Sequence, residues 1–134
     1  MRAYKHKVNY YETDRMGVTH HSNYIRFMEE ARVDFLEQIG WGYDKMEAEG
    51  IVSPVVNVSC DFKKTTTFAD VIEIQIKVEK ISAFKLILDY TMTMNGDVAC
   101  TAQSSHCFLD TNGKPVVIEK KYPEMYKKLQ EYLK

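Results

Sequence analysis

The sequence has few of the residues that mark special classes of protein. Its 134 residues contain three cysteines, three prolines and six glycines, which excludes a disulfide-rich, collagen-like or low-complexity chain. Cys60, Cys100 and Cys107 form no CxxC pair, so we expect reduced thiols rather than a disulfide or a zinc site. No repeat or linker interrupts the chain, and we expect a single domain over residues 1–134.

Neither charge nor hydrophobicity is present in excess. The chain carries 18 Lys and Arg against 19 Asp and Glu, for a net charge of −1, which gives no basic surface for a nucleic acid. It lacks an apolar run long enough to span a membrane, and its opening, MRAYKHKVNYYETD, is too polar for a signal peptide. The sequence therefore predicts a cytoplasmic protein with no membrane span. Its 45% of hydrophobic residues is enough for one sizeable core.

A change of hydrophobic period at Ser22 predicts the longest helix. Ser22 or Asn23 can cap its start, and Gly40 and Gly42 favour its end. We predict a helix over about residues 22–39, roughly 27 Å long at 1.5 Å per residue. Apolar side chains recur along it at steps of three and four: Tyr24, Phe27, Met28, Ala31, Phe35 and Ile39.

Apolar and polar residues alternate along much of the remaining chain, which predicts antiparallel strands. Asn95–Gly96 is a strong hairpin turn, and a second Asn-Gly turn follows at 112–113. Pro123 favours the start of a terminal helix. The predicted strands are KHKVNYYE at the start, then segments within 56–62, 72–78, 84–94 and 98–109, and a short helix or turn is expected over 42–50.

Only a sheet is large enough to cover the apolar stripe of the long helix. We therefore predict an α+β fold in which a curved antiparallel sheet wraps around one long central helix. Sheet edges without a partner and leftover apolar residues argue for a dimer.

The segment before the helix carries the densest chemistry. Its pattern, Y-x-E-T-D-x-M-G-V-x-H-H-x-N-Y from Tyr10 to Tyr24, is followed by F-M-E-E-A-R from Phe27 to Arg32. With the predicted architecture, these motifs resemble the hot-dog fold acyl-CoA thioesterases, in particular the group of 4-hydroxybenzoyl-CoA thioesterase and the bacterial Tol-Pal-associated thioesterase. The resemblance implies a homodimer or homotetramer with active sites at a subunit interface, and neither a metal nor a cofactor.

Carried over by position, the catalytic carboxylate of these enzymes falls on Asp14. The backbone N–H that polarises the thioester carbonyl falls at His21, and the Asn at the helix start falls on Asn23. The resemblance thus implies hydrolysis of an acyl-CoA thioester to a free acid and CoA, with Asp14 as nucleophile or general base. The first turn of a helix supports this chemistry because its free N–H groups and partial positive charge suit a developing oxyanion.

Each of these residues also has a structural explanation. Asp14 precedes a glycine turn and can cap it; His21 can bond within the loop, and Asn23 can simply cap the helix. Adjacent His20 and His21 could suggest a metal, but neighbouring side chains diverge and no HExxH motif is present. Some hot-dog enzymes use a carboxylate on the central helix; here Glu29 and Glu30 are better explained as an ion-paired face.

Substrate contacts are expected from two groups of residues. Aromatic and small residues near the motif can form the pocket wall, and lysines near strand ends can meet the phosphates of CoA, although such lysines are more often solubilising side chains. The candidates are Tyr10, Gly17, Tyr24, Lys63, Lys64, Lys80 and Lys85.

Two other functions remain open at this point. A non-catalytic acyl-CoA or acyl-carrier binding module would use the same pocket without turnover. A hot-dog dehydratase is a weaker option, because it needs a catalytic His together with a carboxylate on the helix, and the surrounding sequence does not match that pattern. The sequence leaves the acyl group undetermined.

Overall fold

The computed structural model describes residues 1–134, which form seven strands, four α-helices and one 3₁₀ turn. A 3₁₀ turn over Tyr10–Glu12 follows the first strand. The strands are β1 Tyr4–Lys7, β2 Ile51–Val52, β3 Val55–Phe62, β4 Val71–Ile81, β5 Lys85–Met94, β6 Asp97–Cys107 and β7 Leu109–Asp110. The helices are α1 Asn23–Gln38, α2 Tyr43–Glu49, α3 Ile118–Lys121 and α4 Pro123–Gln130.

Five strands form one antiparallel sheet in the order β1-β4-β5-β6-β3, and β2 pairs with β7 in a separate ribbon. The predicted hairpin turn joins β5 to β6, with Asn95 at φ 52° and Gly96 at φ 83°. Both residues of this turn need positive φ, which Asn and Gly adopt most readily. The alternation in β4 is also confirmed: Ile72, Ile74 and Val78 are buried between exposed neighbours.

Helix α1 packs its apolar stripe against the sheet, as predicted. Phe27, Met28 and Ala31 are almost fully buried at its centre. The helix ends before Gly40, which takes the left-handed conformation at φ 86° while its neighbour Trp41 donates its N–H to Leu36 O at 2.8 Å. With the Gly40 N–H bond to Glu37 O at 3.0 Å, this bond forms a Schellman motif at the helix end. The sheet and this helix form the predicted α+β architecture.

Two strand predictions need correction. Residues 10–12 form a 3₁₀ turn rather than part of β1, because Glu12 bonds back to Asn9 through both its backbone and its side chain. Strand β3 was expected to bury one apolar face, but Val56 and Phe62 are more than half exposed. The core covers this face only in the middle of the strand, at Val58 and Cys60, and leaves both ends of β3 exposed.

A chain of polar side chains crosses the core beneath α1. Arg32 is buried without a carboxylate partner and donates to the hydroxyl of Tyr90 at 3.3 Å. That hydroxyl is 2.6 Å from Ser104 Oγ, which in turn is 2.7 Å from His106 Nε2. The other ring nitrogen of His106, Nδ1, is buried with no hydrogen-bond partner.

None of the helices is both long enough and apolar enough to cross a membrane.

Candidate active site

Asp14 lies at the start of a tight hairpin. Thr13 and Thr19 pair as antiparallel partners at its base, and the Asp14 N–H donates to Val18 O at 2.8 Å. Gly17 occupies the turn at φ 82°, a conformation that favours glycine. The Asp14 side chain is half-buried, and its Oδ1 accepts the Met16 N–H at 2.8 Å. Its Oδ2 has no hydrogen-bond partner within the chain, so one carboxylate oxygen is free to act on a ligand.

The start of α1 leaves the N–H group of His21 without a hydrogen bond. The N–H groups of Asn23 and Tyr24 donate to the carbonyls of His20 and His21, and that of Ser22 donates to His20 Nδ1. The N–H of His21 makes no hydrogen bond within the chain. Because the N-terminal end of a helix carries partial positive charge, this N–H is a ready donor for an anionic oxygen.

The hairpin and the helix start open onto one cavity of about 300 Å³. Tyr24 and Phe62 form an aromatic wall, with ring centroids 5.1 Å apart in an edge-to-face arrangement. Lys63 and Lys64 lie on the segment that follows β3; Lys64 pairs with Asp97 at 2.7 Å, whereas Lys63 takes part in no ion pair. The remaining lining residues are Met16, Val18, Thr19 and Thr65, beside Asp14 and His21.

Five of the expected site residues therefore meet at this cavity: Asp14, His21, Tyr24, Lys63 and Lys64.

Other expected residues lie elsewhere. Asn23 is buried beneath the loop, where its Nδ2 donates to Glu12 O at 2.9 Å, so it fixes the loop rather than lining the cavity. Gly17 is exposed, and its carbonyl accepts the Thr67 hydroxyl at 2.6 Å. Tyr10 is 76% exposed and touches Phe68 edge to face. None of the three is among the residues that line the cavity.

Two expected lysines are separated from the cavity by the length of the sheet. Lys85 pairs with Cys107 at one end of β6, whereas Phe62 pairs with Cys100 towards the other end. Seven residues of strand correspond to roughly 23 Å at 3.3 Å per residue. Lys80, opposite Ile87, lies at the same far end as Lys85. Neither lysine therefore lines this cavity, because successive strand ends alternate between the two ends of a hairpin sheet.

Sequence reasoning also missed residues of the cavity. Phe62 was expected only as part of the strand within 56–62, and Met16 and Val18 were given no site role. For Phe62 a signal exists: it is the last residue of an apolar–polar alternation and directly precedes the Lys63–Lys64 pair.

A larger cleft, of about 660 Å³, lies on the other side of α1. Acidic residues dominate its lining, among them Glu12, Glu29 and Glu30. Burial raises the pKa of Glu12, but hydrogen bonds from the Asn9 N–H and from His6 outweigh burial and hold the pKa below its ordinary value. The Glu12 carboxylate is thus already hydrogen-bonded to Asn9 and His6. We favour the smaller cavity because its lining includes both Asp14, which has one unbonded carboxylate oxygen, and His21, which has an unbonded N–H.

The structure contains no group of three or more His, Cys, Asp or Glu side chains that could hold a metal ion.

The architecture and the site define the class of protein: a hot-dog domain with a carboxylate and a helix N-terminus at one cavity. Residues 8–133 match the model of the Thioesterase-like superfamily, and the chain belongs to that family. A hypothetical protein of Aquifex aeolicus with a solved structure is 36% identical, over 95% of this chain and 98% of that one, with a TM-score of 0.88.

Two further relatives carry functional names. The DHNA-CoA thioesterase of Staphylococcus aureus has a TM-score of 0.90 and 27% identity, over 97% of this chain and 89% of that chain. The long-chain acyl-CoA thioesterase FadM of Escherichia coli strain K12 is 26% identical over 131 residues, which is 96% of each chain. The hot-dog fold expected from the sequence is confirmed.

Proposed function

We propose that this protein hydrolyses an acyl-CoA thioester to a free carboxylic acid and CoA, with Asp14 as the catalytic carboxylate. The single observation that carries the proposal is the pairing, at one cavity, of a free Asp14 oxygen with the unbonded N–H of His21. The names of the thioesterase relatives support the reaction class.

The chemistry follows from these two groups. The thioester carbonyl oxygen accepts the His21 N–H, which stabilises the negative charge that grows on this oxygen as the carbonyl carbon is attacked. Asp14 either attacks this carbon itself, expels the thiolate of CoA and leaves a mixed anhydride for water to cleave, or removes a proton from the attacking water. Both routes consume one water and release one acid and one thiol.

The two lysines of the cavity suit the other end of the substrate. Lys63 has no ion-pair partner and is exposed, so its ammonium is available for a CoA phosphate. Lys64 would release its ion pair with Asp97 in order to bind the same phosphate. The related enzymes differ in acyl group, one named for an aromatic thioester and one for long chains, so the test panel must cover both.

We also propose a homodimer, or a tetramer built from two dimers, located in the cytoplasm. Strand β3 has a free edge, and Val55, Val56 and Phe62 are exposed along it. Phe62 also lines the cavity, so a second copy on this edge would add walls to the site. The three unpaired cysteines fit a reducing compartment.

The test is thiol release from CoA esters with short, branched, aromatic and long acyl groups. Asp14→Asn should reduce turnover by about 100-fold or more, the range of one general base, without a change in Tm. Asp44→Asn, an exposed acid in the first turn of α2, is the matched control and should keep full activity. Full turnover by Asp14→Asn would refute the assignment, and saturable ester binding without thiol release by the wild type would replace hydrolysis with binding.

A further inference from the structure

The segment after β3 connects both halves of the candidate site through one buried hydroxyl. Thr66 is only 2% exposed. Its Oγ1 lies 2.7 Å from Thr19 Oγ1 and 2.9 Å from the hydroxyl of Tyr24. Thr19 closes the hairpin that carries Asp14, and Tyr24 is the second residue of α1. A single side chain thus contacts the element that holds the carboxylate and the element that presents the His21 N–H.

Further bonds attach the same segment to the hairpin. Thr19 donates its N–H to Thr66 O at 2.8 Å, and the Thr67 hydroxyl donates to Gly17 O at 2.6 Å. Between Thr13 and Thr19 the hairpin exposes Arg15, Met16 and Gly17 to solvent, so neighbouring side chains do not hold its tip by burial. Asn23 holds the base of the hairpin through Glu12 O, and the orientation of the part beyond that base depends on the bonds of Thr66 and Thr67.

The hydroxyls of Thr19, Thr66 and Tyr24 form a hydrogen-bonded chain with Thr66 in the middle. Burial raises the pKa of Tyr24, which keeps its hydroxyl protonated and able to donate. A threonine hydroxyl can donate one hydrogen bond and accept another, so Thr66 can satisfy both neighbours at once. Thr19, Tyr24 and Thr66 are all buried, and replacing Thr66 by an isosteric apolar residue would leave two buried hydroxyls without this partner.

We propose that Thr66 is a positioning residue of the thioesterase reaction: its hydroxyl sets the distance between the Asp14 carboxylate and the His21 N–H. The inference rests on the proposed hydrolase function. It predicts an effect on the chemical step rather than on substrate affinity, because Thr66 does not line the cavity itself. A misplacement of about 1 Å at a reacting group can reduce the rate by about 100-fold.

The test compares Thr66→Val, which keeps the shape and removes the hydroxyl, with Thr66→Ser, which restores it. Thr66→Val should lower kcat by about 10- to 100-fold with KM within about 3-fold of the wild type, and Thr66→Ser should recover most of kcat. Thr91→Val, an exposed threonine on β5, is the matched control. Circular dichroism and Tm confirm that each variant is folded.

A second variant keeps the proposal testable if Thr66→Val does not fold. Tyr24→Phe removes the hydroxyl on α1 to which Thr66 is hydrogen-bonded and should lower kcat similarly. The double variant Thr66→Val/Tyr24→Phe should lose little more than either single variant, because both break the same link.

The outcomes separate the two proposals. Wild-type kcat in Thr66→Val or in Tyr24→Phe, together with an inactive Asp14→Asn, overturns the positioning role and leaves the hydrolase function standing. A rise in KM alone in Thr66→Val also overturns it. A wild type that releases no thiol from any ester of the panel refutes the hydrolase function itself.

Discussion

The buried imidazole of His106 should make the protein sensitive to mild acid. Burial, and secondly the positive charge of Arg32, lower the pKa of His106 from 6.5 to about 4. The side chain is only 1% exposed, and its Nδ1 has no hydrogen-bond partner. Protonation of the ring would create a second buried positive charge close to Arg32; only a backbone hydrogen bond to Ser53 favours this charged form, and burial and Arg32 outweigh it.

The sign of the effect follows from proton linkage. The unfolded chain binds the proton near pH 6.5, whereas the folded chain resists it until about pH 4. Between these values the unfolded state binds more protons, so stability falls as the pH falls. Above pH 6.5 the contribution is fully present. The loss at pH 4 is about 3 kcal/mol, at roughly 1.36 kcal/mol per pKa unit, a large share of a typical stability of about 5–15 kcal/mol.

The assay is urea unfolding at pH 7.5 and at pH 4, followed by the fluorescence of Trp41, which is 5% exposed and is the one tryptophan of the chain. His106→Gln keeps a hydrogen-bonding partner for Ser104 and cannot titrate in this range. From pH 7.5 to pH 4 the wild type should lose about 3 kcal/mol more than His106→Gln. Acidic groups such as Glu12 titrate in both proteins and cancel in the comparison.

His20→Gln, which removes an imidazole from the surface loop, is the matched control and should lose stability like the wild type. Arg32→Met should lose less than the wild type, because the second cause of the depressed pKa is gone. If the wild type and His106→Gln lose the same free energy over this range, the assigned burial of a neutral imidazole is wrong.

Two further predictions concern the loop before β4 and the free edge of the sheet. Ala69 has φ 71°, in the left-handed region, which glycine adopts without strain. Ala69→Gly should therefore raise the free energy of unfolding in urea by about 0.5 kcal/mol, because the strain that it relieves exceeds the entropy that glycine adds to the unfolded chain. A loss of stability would contradict this prediction. Val56 is 64% exposed on the edge of β3, and Val56→Lys should shift a dimer towards monomer in light scattering and reduce thiol release. Val71→Lys on β4 should change neither, and a dimeric Val56→Lys would place the interface elsewhere.

Local periodicity was enough to predict the main elements. The three- and four-residue spacing from Tyr24 to Ile39 predicted α1, and the two-residue alternation from Ile72 to Val78 predicted β4. These patterns can be detected in sequence because each residue's exposure follows from its phase within its own helix or strand. The motif around Asp14 was equally local, since the carboxylate and the helix start lie within one short segment.

The sequence by itself predicted the helices and strands of the α+β architecture and the closeness of Asp14 to the start of α1, because these depend on residues close together in the chain. Only the tertiary structure decided that Phe62 joins the cavity while Lys80 and Lys85 do not, and that Arg32 and His106 share the core. Those outcomes depend on which strand is at the edge and on which residues meet across the sheet. No local pattern in the sequence predicts these outcomes, because they depend on how strands that are distant in the chain align when they pair in the sheet.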